Sequence, residues 1–147
     1  RVSRGLGDVY KRQQERYKRG VFALDTALFL HDLTDRTPHK FHMAFPYGYN
    51  TSSPKAAGIL CSCKKEPYYS LGIALVDTPA GNTVRVYNAE KTLCEILKPI
   101  SHTDIQIITD AFKRYAGRKD KNIPLLSEYA HQLRVEKRLR PYLEVLL

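Results

Sequence analysis

The spacing of apolar residues changes along this chain from a period of two to a period near 3.6 residues. Between residues 40 and 45, apolar residues alternate with others, which predicts a strand with one buried face that stops at Pro46. Two later runs rich in β-branched residues, 71–76 and Thr83–Tyr87, flank a linker containing Pro and Gly and predict a loosely connected hairpin. A basic, aromatic segment, residues 16–22, predicts a short strand after a turn.

Short helical and polar segments separate these strands. Asp25 can cap a short helix that fades near residues 32–34. Residues 47–55 are rich in turn-forming residues and predict a polar loop, and residues 57–63 predict a further, weak strand.

The helical period begins after the hairpin. Asn88 is placed to cap a first helix, and either Ser101 or Thr103 can begin a second helix through a capping box. Asn122 begins a third helix, and a last apolar stripe continues to the C-terminus, where Pro141 should kink or restart the helix. This order predicts an α+β fold, in which a small, mainly antiparallel sheet is followed by a C-terminal group of three to four helices.

The composition is that of an ordinary folded domain. The chain has 147 residues, of which 43% are apolar, enough for one domain with a core and too many for a disordered chain. No apolar run is long enough to span a bilayer and no secretory signal pattern is present, so we expect a cytoplasmic protein without a membrane partner.

The net charge of +9 lies at the two ends of the sequence. Residues 1–20 hold seven basic and two acidic side chains, residues 21–106 hold eight of each, and residues 107–147 hold nine basic and five acidic. A basic patch favours polyanions by counterion release, whereas a merely solvated face explains the same charge, and charge alone leaves both interpretations open. The candidate nucleic-acid contacts form two groups, namely Arg16, Lys18 and Arg19, and then Lys113, Arg114, Arg118, Lys119 and Lys121.

Sequence motifs for catalysis or metal binding are absent. The three cysteines neither make a disulfide framework nor match a zinc-site spacing, and there is no phosphate-binding glycine loop. Asp77, Glu90 and Glu95 could converge on one ion, which keeps a metal-dependent nuclease or phosphotransferase as the alternative function. An acid favoured by the helix dipole is the simpler interpretation of Glu90. We therefore predict no catalytic residue, no metal ligand and no cofactor.

Three blocks of the sequence carry a resemblance to a known family. They are residues 19–51 (RGVFALDTALFLHDLTDRTPHKFHMAFPYGYNT), residues 87–97 (YNAEKTLCEIL) and residues 104–147 (from DIQIITDAFKRYAGRKDKN to YLEVLL). In this combination they resemble the AbiEi antitoxins of bacterial type IV toxin–antitoxin systems, also called abortive infection proteins. The resemblance covers residues 16–147, the expected antitoxin domain. Residues 16–22 resemble the last wing strand of the family's N-terminal winged helix-turn-helix, whose helices are missing here.

The start of the chain does not resemble the family. Residues 5–13 (GLGDVYKRQ) are more typical of a translated sequencing adapter than of native sequence. We therefore interpret residues 1–15 as a disordered or artefactual leader and give no weight to its positive charge.

The resemblance implies an antitoxin that has no catalytic activity of its own. Members of the family oppose an AbiEii-type nucleotidyltransferase toxin, with direct contact left open, and the full-length protein binds operator DNA and represses its own operon. Glu90-Lys91 stands where an acid–Arg pair is commoner, and for Arg36 a structural role in the helix-to-strand loop is an equal alternative. The positions that match the family pattern, without an assigned role, are Arg36, Thr37, Pro38, Tyr49, Asn50, Thr51, Glu90, Lys91, Thr92, Lys119 and Asp120.

Overall fold

A computed structural model describes residues 8–146 and places a five-stranded sheet beside a group of helices. The strands are β1 (Val21–Phe22), β2 (His42–Pro46), β3 (Leu60–Lys64), β4 (Ile73–Asp77) and β5 (Thr83–Tyr87). The helices are α1 (Val9–Arg16), α2 (Leu24–Leu30), α3 (Ser52–Ala56), α4 (Ala89–Ile96), α5 (Ile105–Ala116), α6 (Ile123–Leu133) and α7 (Glu136–Leu146). The predicted α+β class is confirmed, and the C-terminal group contains the four helices α4 to α7.

The sheet has the strand order β3-β2-β1-β5-β4 and is mixed, whereas we expected it to be mainly antiparallel. β1 and β2 pair antiparallel, as do β4 and β5, but β1 pairs parallel with β5 and β2 pairs parallel with β3. The difference comes from the connections, because parallel neighbours need a crossover rather than a tight turn. α3 lies inside the predicted polar loop and is part of the crossover from β2 to β3. The predicted hairpin between β4 and β5 is confirmed.

The first described residues form a helix where we expected a disordered leader. Asp8 caps α1 by accepting hydrogen bonds from two backbone N–H groups, each at 3.1 Å. The side chain of Gln14 accepts a hydrogen bond from the backbone N–H of Arg85 at 2.6 Å, which joins α1 to β5. These bonds order residues 8–15 and correct that part of the expectation. The rest of the leader, residues 1–7, lies outside the described residues.

The strand that we expected over residues 16–22 is shorter in the structure. Arg16 ends α1, and only Val21 and Phe22 form β1. Both side chains are fully buried, because β1 is the central strand between β2 and β5. The likeness of this segment to a wing strand stays a prediction.

Three helix boundaries also differ from the expectation. Asp25 does not cap α2, because the N-cap residue is Ala23 and Asp25 lies in the first turn. Asp104 caps α5 by accepting from a backbone N–H at 2.9 Å, while the hydroxyls of Ser101 and Thr103 bond to each other at 3.0 Å. α7 runs through Pro141, and the chain turns earlier, at Arg134, which has a left-handed φ of 61°.

Apolar side chains pack into a helical cluster and clusters on the sheet. The helical cluster centres on α4 and includes Leu93, Phe112 and Leu126, whereas the main sheet cluster lies against α1 and includes Tyr10 and Phe45. α4 also contacts α2, α5 and α6, so it lies at the centre of the molecule. Within residues 8–146, no helix combines the length and the apolar character needed to cross a membrane.

Candidate functional site

The first turn of α4 holds the family-pattern residues Glu90, Lys91 and Thr92, and all three are buried. The helix begins there because the Asn88 side chain accepts a hydrogen bond from the Lys91 N–H at 2.8 Å. The Thr92 hydroxyl donates to the carbonyl oxygen of Tyr87 at 3.2 Å. These contacts tie the start of α4 to the end of β5.

Glu90 is bonded to the next helix. The phenol of Tyr115 donates to the Glu90 carboxylate at 2.6 Å and accepts from the backbone N–H of Asn122, also at 2.6 Å. Burial, followed by the bond to the carboxylate, raises the pKa of the Tyr115 phenol. Glu90 therefore links α4 to α5 and, through Tyr115, to the start of α6.

Lys91 is fully buried, and its ammonium group is nevertheless well satisfied. Its Nζ donates to the carbonyl oxygens of Tyr68 and Leu71 at 2.8 and 2.9 Å and lies 3.8 Å from the centre of the Tyr87 ring. A Glu95 carboxylate oxygen lies 3.9 Å away. Burial outweighs this carboxylate and lowers the pKa of Lys91 to about 8.

Carboxylates do not converge on one point in the way that the alternative function needs. Glu90 is bonded to Tyr115, and Glu95 forms an ion pair with Lys64 at 2.9 Å. Asp77 is at the end of β4 opposite Thr83, the far end of β5 from α4. Across residues 8–146 there is no group of three His, Cys, Asp or Glu side chains placed to hold a metal ion.

The other family-pattern residues lie at two separate places. Arg36, Thr37 and Pro38 line a cleft of about 380 Å³ beside Ile107 of α5, where the Arg36 side chain is exposed. The backbone N–H of Arg36 bonds to the Thr34 hydroxyl at 3.2 Å, so this segment is a turn with an open cleft.

The second of these places is the turn before α3. Tyr49 stacks on Phe45 with 4.6 Å between ring centres, and the Asn50 side chain accepts from the Ser52 N–H at 3.0 Å. Thr51 is the N-cap residue of α3. The contacts of this segment hold the crossover from β2 to β3.

The first predicted nucleic-acid group forms an exposed turn between α1 and β1. The Arg16 guanidinium lies 5.6 Å from the ring centre of Tyr17. The carbonyl oxygens of Lys18 and Arg19 accept hydrogen bonds from side chains of the sheet region, while their own side chains stay exposed. The turn is fixed by its backbone and presents its charges to solvent.

The basic residues of the second predicted group lie close together, but ion pairs within the chain neutralise two of their charges. Arg114 pairs with Asp110 at 2.8 Å, and Arg118 forms two hydrogen bonds with Asp120, at 2.8 and 2.9 Å. Lys121 donates to the carbonyl oxygen of Arg118 at 3.4 Å. In the described part of the chain, the remaining members, Lys113 and Lys119, are exposed and have no ion pair.

Sequence reasoning missed a groove along β3, of about 720 Å³, which we call the β3 groove. Its floor includes His42, whose Nε2 is 2.7 Å from the Ser62 hydroxyl, and burial lowers the pKa of this imidazole. Its other lining residues come from several separate segments and include Leu24, Lys40, Lys55, Leu60, Lys64, Glu95, Lys98 and Ile100. No local pattern signals this groove, because its residues are far apart in the sequence.

Comparison with known proteins leaves the family resemblance as an interpretation of sequence blocks. No protein-family model matches the chain, and a search of curated proteins finds no significant match.

Proposed function

We propose that this chain is the antitoxin domain of a bacterial type IV toxin–antitoxin system and that it acts by binding rather than by catalysis. The three sequence blocks that resemble the AbiEi family, residues 19–51, 87–97 and 104–147, supply this identity. The observation that carries the proposal is that side-chain hydrogen bonds join all three blocks pairwise, as expected if they form one functional unit.

Each pair of blocks shares at least one such bond. His31 of the first block places Nε2 at 2.8 Å from the Tyr87 carbonyl oxygen of the second. Tyr115 of the third block donates to Glu90 of the second at 2.6 Å. Arg118 of the third block donates to the carbonyl oxygen of His31 at 2.9 Å, which closes the ring of contacts.

The partners follow from the same resemblance and are part of the proposal. The functional partner is an AbiEii-type nucleotidyltransferase toxin in the cytoplasm, and the full-length protein also binds operator DNA. The exposed turn of Arg16, Lys18 and Arg19 offers phosphate contacts beside the winged helix-turn-helix of such a protein. Lys113 and Lys119 offer further cationic contacts on and just beyond α5.

Growth rescue tests the proposal. The nucleotidyltransferase toxin of the same operon is induced in bacteria with or without this chain, and a catalytically inactive toxin serves as the control. We expect the chain to restore growth when the active toxin is induced. If the chain accumulates in folded form and growth still stops, the proposal is wrong.

A further inference from the structure

One edge of the sheet offers unpaired backbone groups. β3 is an edge strand that pairs only with β2, and the Leu60 N–H donates to the Phe41 carbonyl at 2.8 Å. At the other end of β3, the Lys64 carbonyl oxygen accepts a hydrogen bond from the Tyr47 N–H at 2.9 Å. Because backbone groups alternate in direction along a parallel strand, the N–H and C=O groups of Cys61 and Cys63 point away from β2.

Lysine side chains line the groove beside this edge. Lys40, Lys55 and Lys98 come from three separate segments and line the β3 groove. Within residues 8–146, none of these three lysines has an ion pair or a side-chain hydrogen bond. The carboxylate that lines the groove, Glu95, is already paired with Lys64. The groove therefore has cationic groups without a protein counter-charge.

Apolar side chains lie between these charges. Leu60 is 47% exposed and Ile100 is 82% exposed, and both line the β3 groove with Leu24. Exposed leucine and isoleucine beside a sheet edge offer contacts for the alternate side chains of an added strand. No tryptophan, tyrosine or phenylalanine among the described residues lines the groove, so it lacks the stacking surface that single-stranded nucleic acids use.

We propose that the β3 groove binds an extended acidic segment of a partner protein, which adds to the sheet as a strand beside β3. The backbone of that segment pairs with the free groups of Cys61 and Cys63. Its apolar side chains contact Leu60 and Ile100, and its carboxylates lie near the unpaired lysines. Backbone pairing supplies affinity, and the lysines select acidic sequences.

The opposite edge of the sheet does not offer the same combination. β4 is also an edge strand, with Leu75 exposed to 72%, but it ends at Asp77. No residue of β4 lines the β3 groove or the cleft beside Arg36. An acidic strand should therefore choose β3 over β4.

The probe is a fluorescein-labelled peptide of alternating glutamate and valine, and its binding to the whole chain is followed by fluorescence anisotropy under reducing conditions. Three further probes define the chemistry: a peptide with lysine in place of glutamate, an acidic peptide N-methylated on alternate amides, and a polythymidine oligonucleotide. We expect the unmodified acidic peptide to bind more tightly than the two modified peptides and to stay bound when the oligonucleotide is added. Equal binding of the N-methylated peptide would overturn strand addition, and displacement of the acidic peptide by an equal concentration of the oligonucleotide would overturn a peptide site. Failure of the acidic peptide to bind would show that the lysines only protect an edge strand.

Two sets of variants locate the site. Cys63→Pro removes one outward N–H and leaves the ladder to β2 intact, so we expect affinity to fall at least about tenfold relative to Cys63→Ser. Replacing Lys40, Lys55 and Lys98 by glutamate should abolish binding. The matched control replaces Lys137, Arg138 and Arg140, exposed residues of α7 outside the groove, by glutamate, which changes the net charge equally, and it should bind within about threefold of wild type.

The control variants show whether peptide binding depends on the β3 groove or on the net charge of the protein. If both triple variants lose affinity equally, binding reflects net charge and the proposed site is wrong. Thermal melting confirms that each variant is folded, and the N-methylated peptide tests strand pairing even if Cys63→Pro does not fold. The measurement needs no toxin, so its failure leaves the antitoxin proposal to the growth assay.

Discussion

Lys91 lies in the first turn of α4 and Lys98 lies two residues beyond its last residue, and the two lysines have opposite surroundings. Lys91 is fully buried, donates to two carbonyl oxygens and lies against the ring of Tyr87. Lys98 lines the β3 groove and, among the described residues, its side chain has no hydrogen bond or ion pair. The same residue type thus holds the fold together at the start of α4 and is available for binding just beyond its end.

The number of charged residues in a segment therefore does not measure the charge that is available to a partner. The segment with the most basic residues in the folded region, from Lys113 to Lys121, uses Arg114 and Arg118 in ion pairs within the chain. The β3 groove collects four lysines against five basic residues in that segment, and three of the four have no ion pair among the described residues. Available charge depends on which acids the fold places nearby, and only the structure supplies that information.

The largest stability effect should come from filling the space beside Lys91. At Gly72, which has a φ of +81°, an added Cβ would lie 2.9 Å from the Lys91 Cβ. We expect Gly72→Ala to lower the free energy of unfolding by about 3 kcal/mol, because a left-handed backbone and overpacking both add to the cost. Urea denaturation measures it. Gly81→Ala is the control, since Gly81 has a φ of +90° and open space, and an equal loss in both variants would rule out a packing role for Lys91.

Stability should depend on pH through Lys91. In the folded protein its pKa is lowered to about 8 by burial, whereas in the unfolded chain it keeps the ordinary value of 10.5. Between these two pKa values the unfolded state binds more protons than the folded state. This group therefore raises the free energy of unfolding by about 2 kcal/mol between pH 8 and pH 10. The free energy of unfolding is measured against pH for the wild type and for Lys91→Met. The difference between the two curves removes the contributions of Cys94 and the tyrosines. A flat difference between pH 8 and 10 would contradict the lowered pKa.

A smaller effect should follow from the Tyr115 hydroxyl. Tyr115→Phe removes the bonds to Glu90 and to the Asn122 N–H, and we expect a loss of about 1–2 kcal/mol. Tyr47→Phe is the control, because Tyr47 is 70% exposed and its hydroxyl has no partner among the described residues. Equal melting temperatures for the two variants would show that the bond between α4 and α5 does not stabilise the fold.

Most local elements could be predicted because their signals are local. The hairpin of β4 and β5 and the asparagine caps at Asn88 and Asn122 depend on neighbouring residues, and the structure confirms them. The parallel pairing of β2 and β3 depends on the short helix Ser52–Ala56, whose sequence also suits a polar loop. α1 is ordered by Gln14 through a bond to Arg85, a contact that spans much of the chain and leaves no periodic signal.

The candidate sites were harder to predict because their residues are far apart in the sequence. Burial of Lys91 contradicts the usual exposure of lysine and becomes understandable only when the Tyr68 and Leu71 carbonyls are placed around it. The β3 groove joins Lys40, Lys98 and other distant residues, so no spacing rule could find it.

One pair of variants tests the central contrast most directly. Lys91→Ala and Lys98→Ala make the same change at the start of α4 and just beyond its end, and the free energy of unfolding of each is measured at pH 7 by urea denaturation. We expect a loss of about 3 kcal/mol for Lys91→Ala, from lost packing and two unpaired carbonyls, and less than about 0.5 kcal/mol for Lys98→Ala. Similar losses in the two variants would contradict the contrast between a structural lysine at the start of α4 and a binding lysine just beyond its end.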